Sequence, residues 1–158
     1  MKLVIQRVLK SSVSVDGKEI SSIDKGFLVL LGVTTSDTTK EADFLAEKLV
    51  KLRVMADEPT RPLTPERSDG GRGKMNLSVK DVGAEILIVS QFTLYGDTKD
   101  GNRPSFINAA RPEIAEPIYN HFVEKVKSLG VKVGTGKFGA DMKIEAKLDG
   151  PVTIIIES

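Results

Sequence analysis

Gly26-Phe27-Leu28-Val29-Leu30-Leu31-Gly32-Val33 decides the fold class. Every position between its glycines is apolar. A strand with one face in water alternates apolar and polar side chains, so an unbroken run reads as a strand covered on both faces. The next segment of the chain supplies one of the covers. Ser36 or Asp37 is placed to cap a helix running to about Lys51, with Ala42, Leu45, Ala46, Leu49 and Leu52 at helical spacing and Glu41, Glu47, Lys48 and Lys51 outside. Buried strand followed by amphipathic helix predicts an α/β chain.

The flanks extend this. Leu3 to Val15 alternates and is β-rich, and Asp16-Gly17 is a hairpin signal leading to a strand over Lys18 to Ile23. Arg53-Val54-Met55 reads as a short strand and Ile86 to Gln91 as a second buried one. Glu113 to Leu129 is the second helix, with Ile114, Ile118, Phe122, Val126 and Leu129 on one face and Gly130 as its stop. Val131-Lys132-Val133 resumes extended chain, and Met142 to Leu148 and Val152 to Ile156 read as two closing strands. About Asp57 to Ser78 is one long irregular stretch punctuated by Pro and Gly, carrying Arg61, Arg67, Arg72 and Lys74. The chain reads as one domain over residues 1–158, with a mixed sheet and two main helices.

Composition narrows the chemistry. A net charge of +1 in 158 residues does not suit wrapping duplex nucleic acid, so an RNA partner would be touched locally, at a single-stranded end. There is no Cys, which excludes disulfides, thiolate nucleophiles and Cys-bound metals. The single His, His121, lies within the second helix and reads as a surface or partly buried side chain. That leaves neither a His-rich metal site nor a Ser-His-Asp triad. GTGKFGAD from Gly134 lacks the phosphate-loop spacing and reads as a turn. No apolar run approaches the ~18 residues of a membrane helix, and no secretory signal pattern follows Lys2, so a cytoplasmic protein is expected.

Three short segments remain. Ser90-Gln91-Phe92-Thr93 stands at the C-terminal end of a buried strand, the edge where ligands collect in open α/β sheets. Ser90, Thr93 and Ser105 are candidate hydroxyls, yet no base accompanies them, and Tyr95-Gly96-Asp97 reads as the turn ending the segment. Arg103-Pro104-Ser105-Phe106 reads as a loop whose Phe106 is suited to stack on an unpaired base. Gly150-Pro151-Val152-Thr153 by itself reads as a tight turn entering the last strand.

Taken in order, these segments resemble the D-aminoacyl-tRNA deacylases (the D-tyrosyl-tRNA deacylase family), in which an SQxTL segment and a C-terminal GPVT segment build one site. The likeness runs nearly end to end, from MKLVIQRV to the final strand. It implies a three-layer α/β/β fold forming a two-fold homodimer, with the sites at the subunit interface. It implies that Ser90, Gln91, Phe92 and Thr93 line the pocket for the aminoacylated 3′ end of tRNA, that Phe106 lies near the terminal adenosine, and that the Phe138-Gly139-Ala140-Asp141-Met142 segment, with Gly139, Ala140 and Met142 foremost, lies close to the pocket. It implies that Gly150-Pro151 is a Gly-cis-Pro element whose carbonyls enter the partner's pocket and exclude L-amino acids. Family members commonly carry Asn before that Gly, where this chain has Asp149.

The activity so implied is hydrolysis of D-aminoacyl-tRNA, and of Gly mischarged on tRNA, without metal or cofactor. Water would attack, backbone N–H groups near Phe92 would hold the oxyanion, and the 2′-hydroxyl of the terminal adenosine would assist. Two other readings stay open: a non-catalytic RNA-end-binding module, and an amidase-like hydrolase using Thr93.

Overall fold

A computed structural model describes residues 1–56 and 74–158. Most of the long irregular stretch, with Arg61, Arg67 and Arg72, lies outside the described residues. From Lys74 onward it contains a short strand rather than loop throughout. This is β5 (Met75–Leu77), paired with β4 (Met55–Ala56), which begins at Met55 rather than Arg53.

The main sheet is built on β1 (Lys2–Val15). Asp16 and Gly17 both take positive φ, at 52° and 75°, and turn the chain back into β2 (Lys18–Ile23), as the Asp-Gly pair predicts. β2 pairs with the second half of β1, and β3 (Gly26–Gly32) pairs with its first half, so β2 and β3 lie head to tail along one edge. β6 (Glu85–Ser90) adds to β3 in parallel, and β7 (Val133–Thr135) to β6 in parallel. At Gly26 the β6 backbone comes so close that a Cβ would stand 1.8 Å from the Glu85 carbonyl oxygen, which only glycine permits. β8 (Lys143–Glu157) runs along the other edge of β1 for nearly its whole length.

The two expected closing strands are therefore one. β8 passes through Gly150-Pro151 without ending, so this pair is not a turn between strands. Between the pairs Gln6↔Thr153 and Val8↔Leu148, β1 has the single residue Arg7, while β8 has Asp149 to Val152. The surplus is absorbed as a bulge, a position in which Pro is tolerated because no ladder N–H is needed. Gly150 sits there with φ of 127°, outside the range that L side chains favour.

Alternation along β3 and β6 sends side chains both ways. Phe27, Val29, Leu31, Ile86 and Ile88 join Leu45, Leu49, Phe122 and Val126 beneath the helices. Leu28, Leu87 and Val89 point to the other face and join Val8, Val13 and Ile23 from the folded-over ends of β1 and β2. The result is three layers: helices, the β3–β6 sheet, and the β2–β1–β8 end. Each fully buried large apolar side chain contributes about 1.5–3 kcal/mol to holding the layers together.

α1 (Thr39–Lys51) is capped by Thr38, not by Ser36 or Asp37. Thr38 Oγ1 accepts from the Lys40 N–H at 3.2 Å, and Glu41 Oε2 accepts from the Thr38 N–H at 2.7 Å. This is a capping box. Leu52 follows as the C-cap residue, and Val50 takes a buried place instead. α2 (Pro112–Ser128) places Pro in its first turn, where the missing N–H costs nothing. Its inner face holds Ala115, Ile118, Tyr119, Phe122, Val123 and Val126, whereas Ile114 is exposed. Gly130 follows the helix with φ of 87°, the expected stop. His121 Nε2 lies 2.9 Å from Asp43 Oδ1, tying α2 to α1.

Candidate functional site

The site forms where β6 ends. The Gln91 N–H donates to the Leu31 carbonyl at 2.7 Å, and the chain then folds into a 3-10 turn, Phe92–Tyr95. Phe92 and Thr93 therefore belong to this turn and not to the strand. Gly32 lies beneath it, where a Cβ would come within 3.1 Å of the Gln91 carbonyl oxygen and 3.2 Å of the Tyr95 ring. The Gly96 N–H closes the turn on the Thr93 carbonyl at 3.0 Å.

Asp97 and Ser105 exchange two backbone hydrogen bonds of 2.8 Å, making a small clasp that returns the chain. Phe106 then meets Phe92 edge to face, with ring centroids 5.1 Å apart and planes at 71°. Both rings are partly bare to solvent, Phe92 at 57% and Phe106 at 38%. Beyond Phe106 the loop is pinned to the end of β3. Thr34 Oγ1 donates to the Asn108 carbonyl at 2.6 Å, and the Ala110 N–H donates to the Val33 carbonyl at 2.9 Å.

Between these rims opens a cavity of about 600 Å³. Ser90, Gln91, Phe92, Phe106, Gly139, Ala140 and Met142 are brought together in its lining. Phe138 and Asp141, from the segment the resemblance placed near the pocket, line it too; the sequence reading missed Leu31 and Val89 from the strands, Val33 just past β3, Ala109, Ala110, Pro112, Ala115 and Tyr119 from α2 and its approach, and Ile144. Tyr119 carried a usable signal, since a tyrosine on an apolar helix face needs a partner for its hydroxyl. It donates to the Ile88 carbonyl at 2.9 Å, with Phe138 packed against its ring at 5.9 Å. Burial pushes its phenol up to about 12.

Thr93 is exposed and stands outside this lining. Its hydroxyl accepts from Gln91 Nε2 at 2.6 Å, so the oxygen already holds a donor rather than a base. The ionisable side chains of the lining are Tyr119 and Asp141, and Asp141 pairs with Lys143 at 3.1 Å. Neither is set up to take a proton from Thr93. Among the described residues, no group of three or more His, Asp or Glu is placed to hold a metal ion.

Gly150 and Pro151 do not line the cavity of their own chain. Their peptide bond is cis. They sit at the β8 bulge, backed by Arg7, whose side chain is 4% exposed. Arg7 Nε lies 2.9 Å from Asp149 Oδ2 and 3.3 Å from the Asp149 carbonyl oxygen, and Nη1 donates to the Val54 carbonyl at 2.8 Å. Asp149 is thus held in an ion pair. Arg7 was not foreseen as part of this arrangement.

Known proteins share the whole chain. A family model described as D-Tyr-tRNA(Tyr) deacylase matches residues 4–157. The chain is 51% identical to a D-aminoacyl-tRNA deacylase of Desulfatibacillum aliphaticivorans, the match covering 100% of this chain and 99% of that one. It is 49% identical to a D-aminoacyl-tRNA deacylase of Clostridioides difficile (strain 630), covering 100% and 97%. Among solved structures, the c-Myc DNA Unwinding Element Binding Protein superposes with a TM-score of 0.87 at 41% identity, covering 100% of this chain and 99% of that one. A probable eukaryotic D-amino acid tRNA deacylase superposes at 0.80 with 15% identity, covering 98% and 97%, a likeness of fold. Matching end to end in sequence and in layer order, the chain belongs to the D-Tyr-tRNA(Tyr) deacylase family.

Proposed function

We propose that this protein hydrolyses the ester of D-aminoacyl-tRNA in the cavity beside Ser90–Thr93, releasing D-amino acid and free tRNA. The observation that carries the reading is a cavity of about 600 Å³ at the end of β6, lined by the SQF segment in a member of this family. It opens through two partly bare aromatic rings, suited to an unpaired 3′-terminal base, and its lining is mostly apolar.

Water attacks the ester carbonyl, main-chain N–H groups of the Phe92–Tyr95 turn hold the oxyanion, and the ribose oxygen leaves with a proton. The 2′-hydroxyl of the terminal adenosine assists. The shortage of bases in the lining and the Gln91–Thr93 hydrogen bond favour this route over attack by Thr93.

The protein works as a homodimer in which each cavity is completed by Gly150-Pro151 of the other subunit, whose carbonyls exclude L side chains and admit D-amino acids and Gly. Two features support this. β8 pairs with β1 alone among the described strands, leaving its second edge open. Leu9, Ile20, Ile144, Leu148 and Ile155 of the β2–β1–β8 end are exposed. Among the described residues no helix is long and apolar enough to cross a membrane, in keeping with a cytoplasmic site of action.

Deacylation of matched D- and L-aminoacyl-tRNA, with Gly-tRNA alongside, tests the reading. Release from the D-ester with the L-ester intact is expected. Binding of the RNA end without turnover would make the protein an RNA-end-binding module instead.

A further inference from the structure

We infer that Asp37 is a positioning residue for deacylation: its buried carboxylate fixes the turn of residues 33–37, which hangs the Phe106 rim of the pocket against the end of β3 that holds the other rim. The inference rests on the reading that the reaction takes place in the cavity beside Ser90–Thr93.

Asp37 looks at first like a helix cap, but Thr38 performs that task. The Asp37 side chain is 3% exposed. A carboxylate withdrawn from water costs several kcal/mol unless donors meet it. Here each oxygen has its own. Oδ1 receives the Met1 ammonium at 2.5 Å, and Oδ2 receives the Thr34 N–H at 2.7 Å. The Asp37 N–H returns to the Thr34 carbonyl at 3.2 Å, so the turn is closed from both ends.

The Phe106 rim is attached to this turn, and the other rim to the end of β3 that leads into it. Thr34 and Val33 hold the Phe106 rim through the Asn108 carbonyl and the Ala110 N–H. Leu31 and Gly32 hold the other rim, through the Gln91 N–H and through the packing of Gly32 under Tyr95. Tyr95 itself feels the carboxylate: burial first, and then the Asp37 charge, raise its phenol. Loss of the carboxylate therefore frees the two rims to move relative to each other. A misplacement of about 1 Å in a reaction of this kind costs on the order of 10²-fold in rate.

The test uses Asp37→Asn and Thr34→Val in the full chain. Asn keeps the volume and an acceptor for Thr34 but turns an amide toward the Met1 ammonium. Val keeps the branched shape and removes only the hydroxyl that holds Asn108. Turnover of D-tyrosyl-tRNA is measured per folded molecule, with folding checked by circular dichroism. Affinity is measured for the non-hydrolysable 3′-(D-tyrosylamino)-3′-deoxyadenosine. We expect Asp37→Asn to lose kcat/KM by about 10²-fold and Thr34→Val by about tenfold, with the double variant losing less than the product of the two.

Folded Asp37→Asn with a lower melting temperature but kcat and KM within about twofold of the parent overturns the inference, since a purely structural group behaves that way. If Asp37→Asn does not fold, Thr34→Val decides alone: unchanged kinetics overturn the inference. Phe106→Ala separates the two readings. If it leaves analogue binding untouched, the cavity reading itself fails. If it weakens binding while the Asp37 variant is normal, only the role of Asp37 falls.

Discussion

Arg7 Nε stands 2.9 Å from Asp149 Oδ2 across the bulge in the β1–β8 ladder, so a buried cation fixes the segment that carries Gly150-Pro151. Removing one partner of such a pair costs about 3 kcal/mol, because the other charge is left without compensation. Arg7→Met is expected to lose that much in urea unfolding, and to lower the ratio of D- to L-ester turnover as the bulge loosens. Asp149→Asn keeps an acceptor in place but leaves the buried Arg7 charge without a counter-ion, and is expected to cost a similar amount. A loss below about 1 kcal/mol in both variants would show that the charge pair does not set the bulge.

Thr93→Ala should retain most of the activity, within about tenfold in kcat/KM. The hydroxyl has an amide donor at 2.6 Å and no base in the described surroundings. Loss of a true nucleophile costs several orders of magnitude, up to about 10⁶-fold. Single-turnover hydrolysis of D-tyrosyl-tRNA distinguishes the two.

Phe106→Ala removes the edge-to-face partner of Phe92 and opens the outer rim. Base–aromatic stacking is worth ~1–3 kcal/mol. Affinity for the aminoacyl-adenosine analogue should fall about tenfold, with little change in the D-to-L ratio. Calorimetric titration reads the first and competition hydrolysis the second.

Alkaline pH should destabilise the fold through its two tyrosines. Tyr119 is raised to about 12 by burial, and Tyr95 to about 12 by burial and then by the charges of Asp37 and Glu157. Below pH 10 native and unfolded chains both keep these protons, so stability is flat. From about pH 10 to about 12 the unfolded phenols ionise while the native ones do not, and stability falls. Tyr119→Phe should make that fall shallower, with a small loss at neutral pH because the Ile88 carbonyl still receives the Gly136 N–H at 3.0 Å. On the acid side, Thr38 holds Glu41, Ser78 holds Asp81 and Lys132 holds Glu85 below their ordinary values. The stability they give is present above pH 4.5 and is lost as pH drops through their native values. Melting temperatures across pH 2–12 check both limbs, since both pass through these ionisations.

Ile155→Glu should yield monomers with little deacylation of D-aminoacyl-tRNA. Ile155 is 61% exposed on the edge strand β8, and a charge there opposes burial against a second copy. Sedimentation and turnover measured on the same preparation test it, and an active monomer that still spares L-esters would refute the cross-subunit screen.

The layers were legible because their signals are local. The unbroken apolar run at Gly26 and the helical spacing from Ala42 to Leu49 need no knowledge of the rest of the chain. The Ser90–Phe92, Phe106 and Gly139–Met142 segments were legible as a set through the resemblance, and the structure brings them to one cavity. Contacts made at long range were not legible. Arg7 lies 142 residues from Asp149, and nothing in an alternating strand marks one arginine as buried. Asp37 reads as a cap in the sequence, and only its tertiary partners show its other role, with Thr38 capping the helix instead. The continuity of β8 was hidden because Gly-Pro breaks most strands, and here a bulge accommodates it.

The long ladder between β1 and β8 has a consequence for the order in which the molecule comes into being. Its two strands stand at opposite ends of the sequence, so pairing them closes a loop of nearly the entire chain. Such closure is entropically late. During synthesis β1 can find β2 and β3 at once, but Arg7 waits without its carboxylate until Asp149 has left the ribosome. The first strand made is then completed by the last, and the segment proposed to judge handedness is the final piece to be set in place.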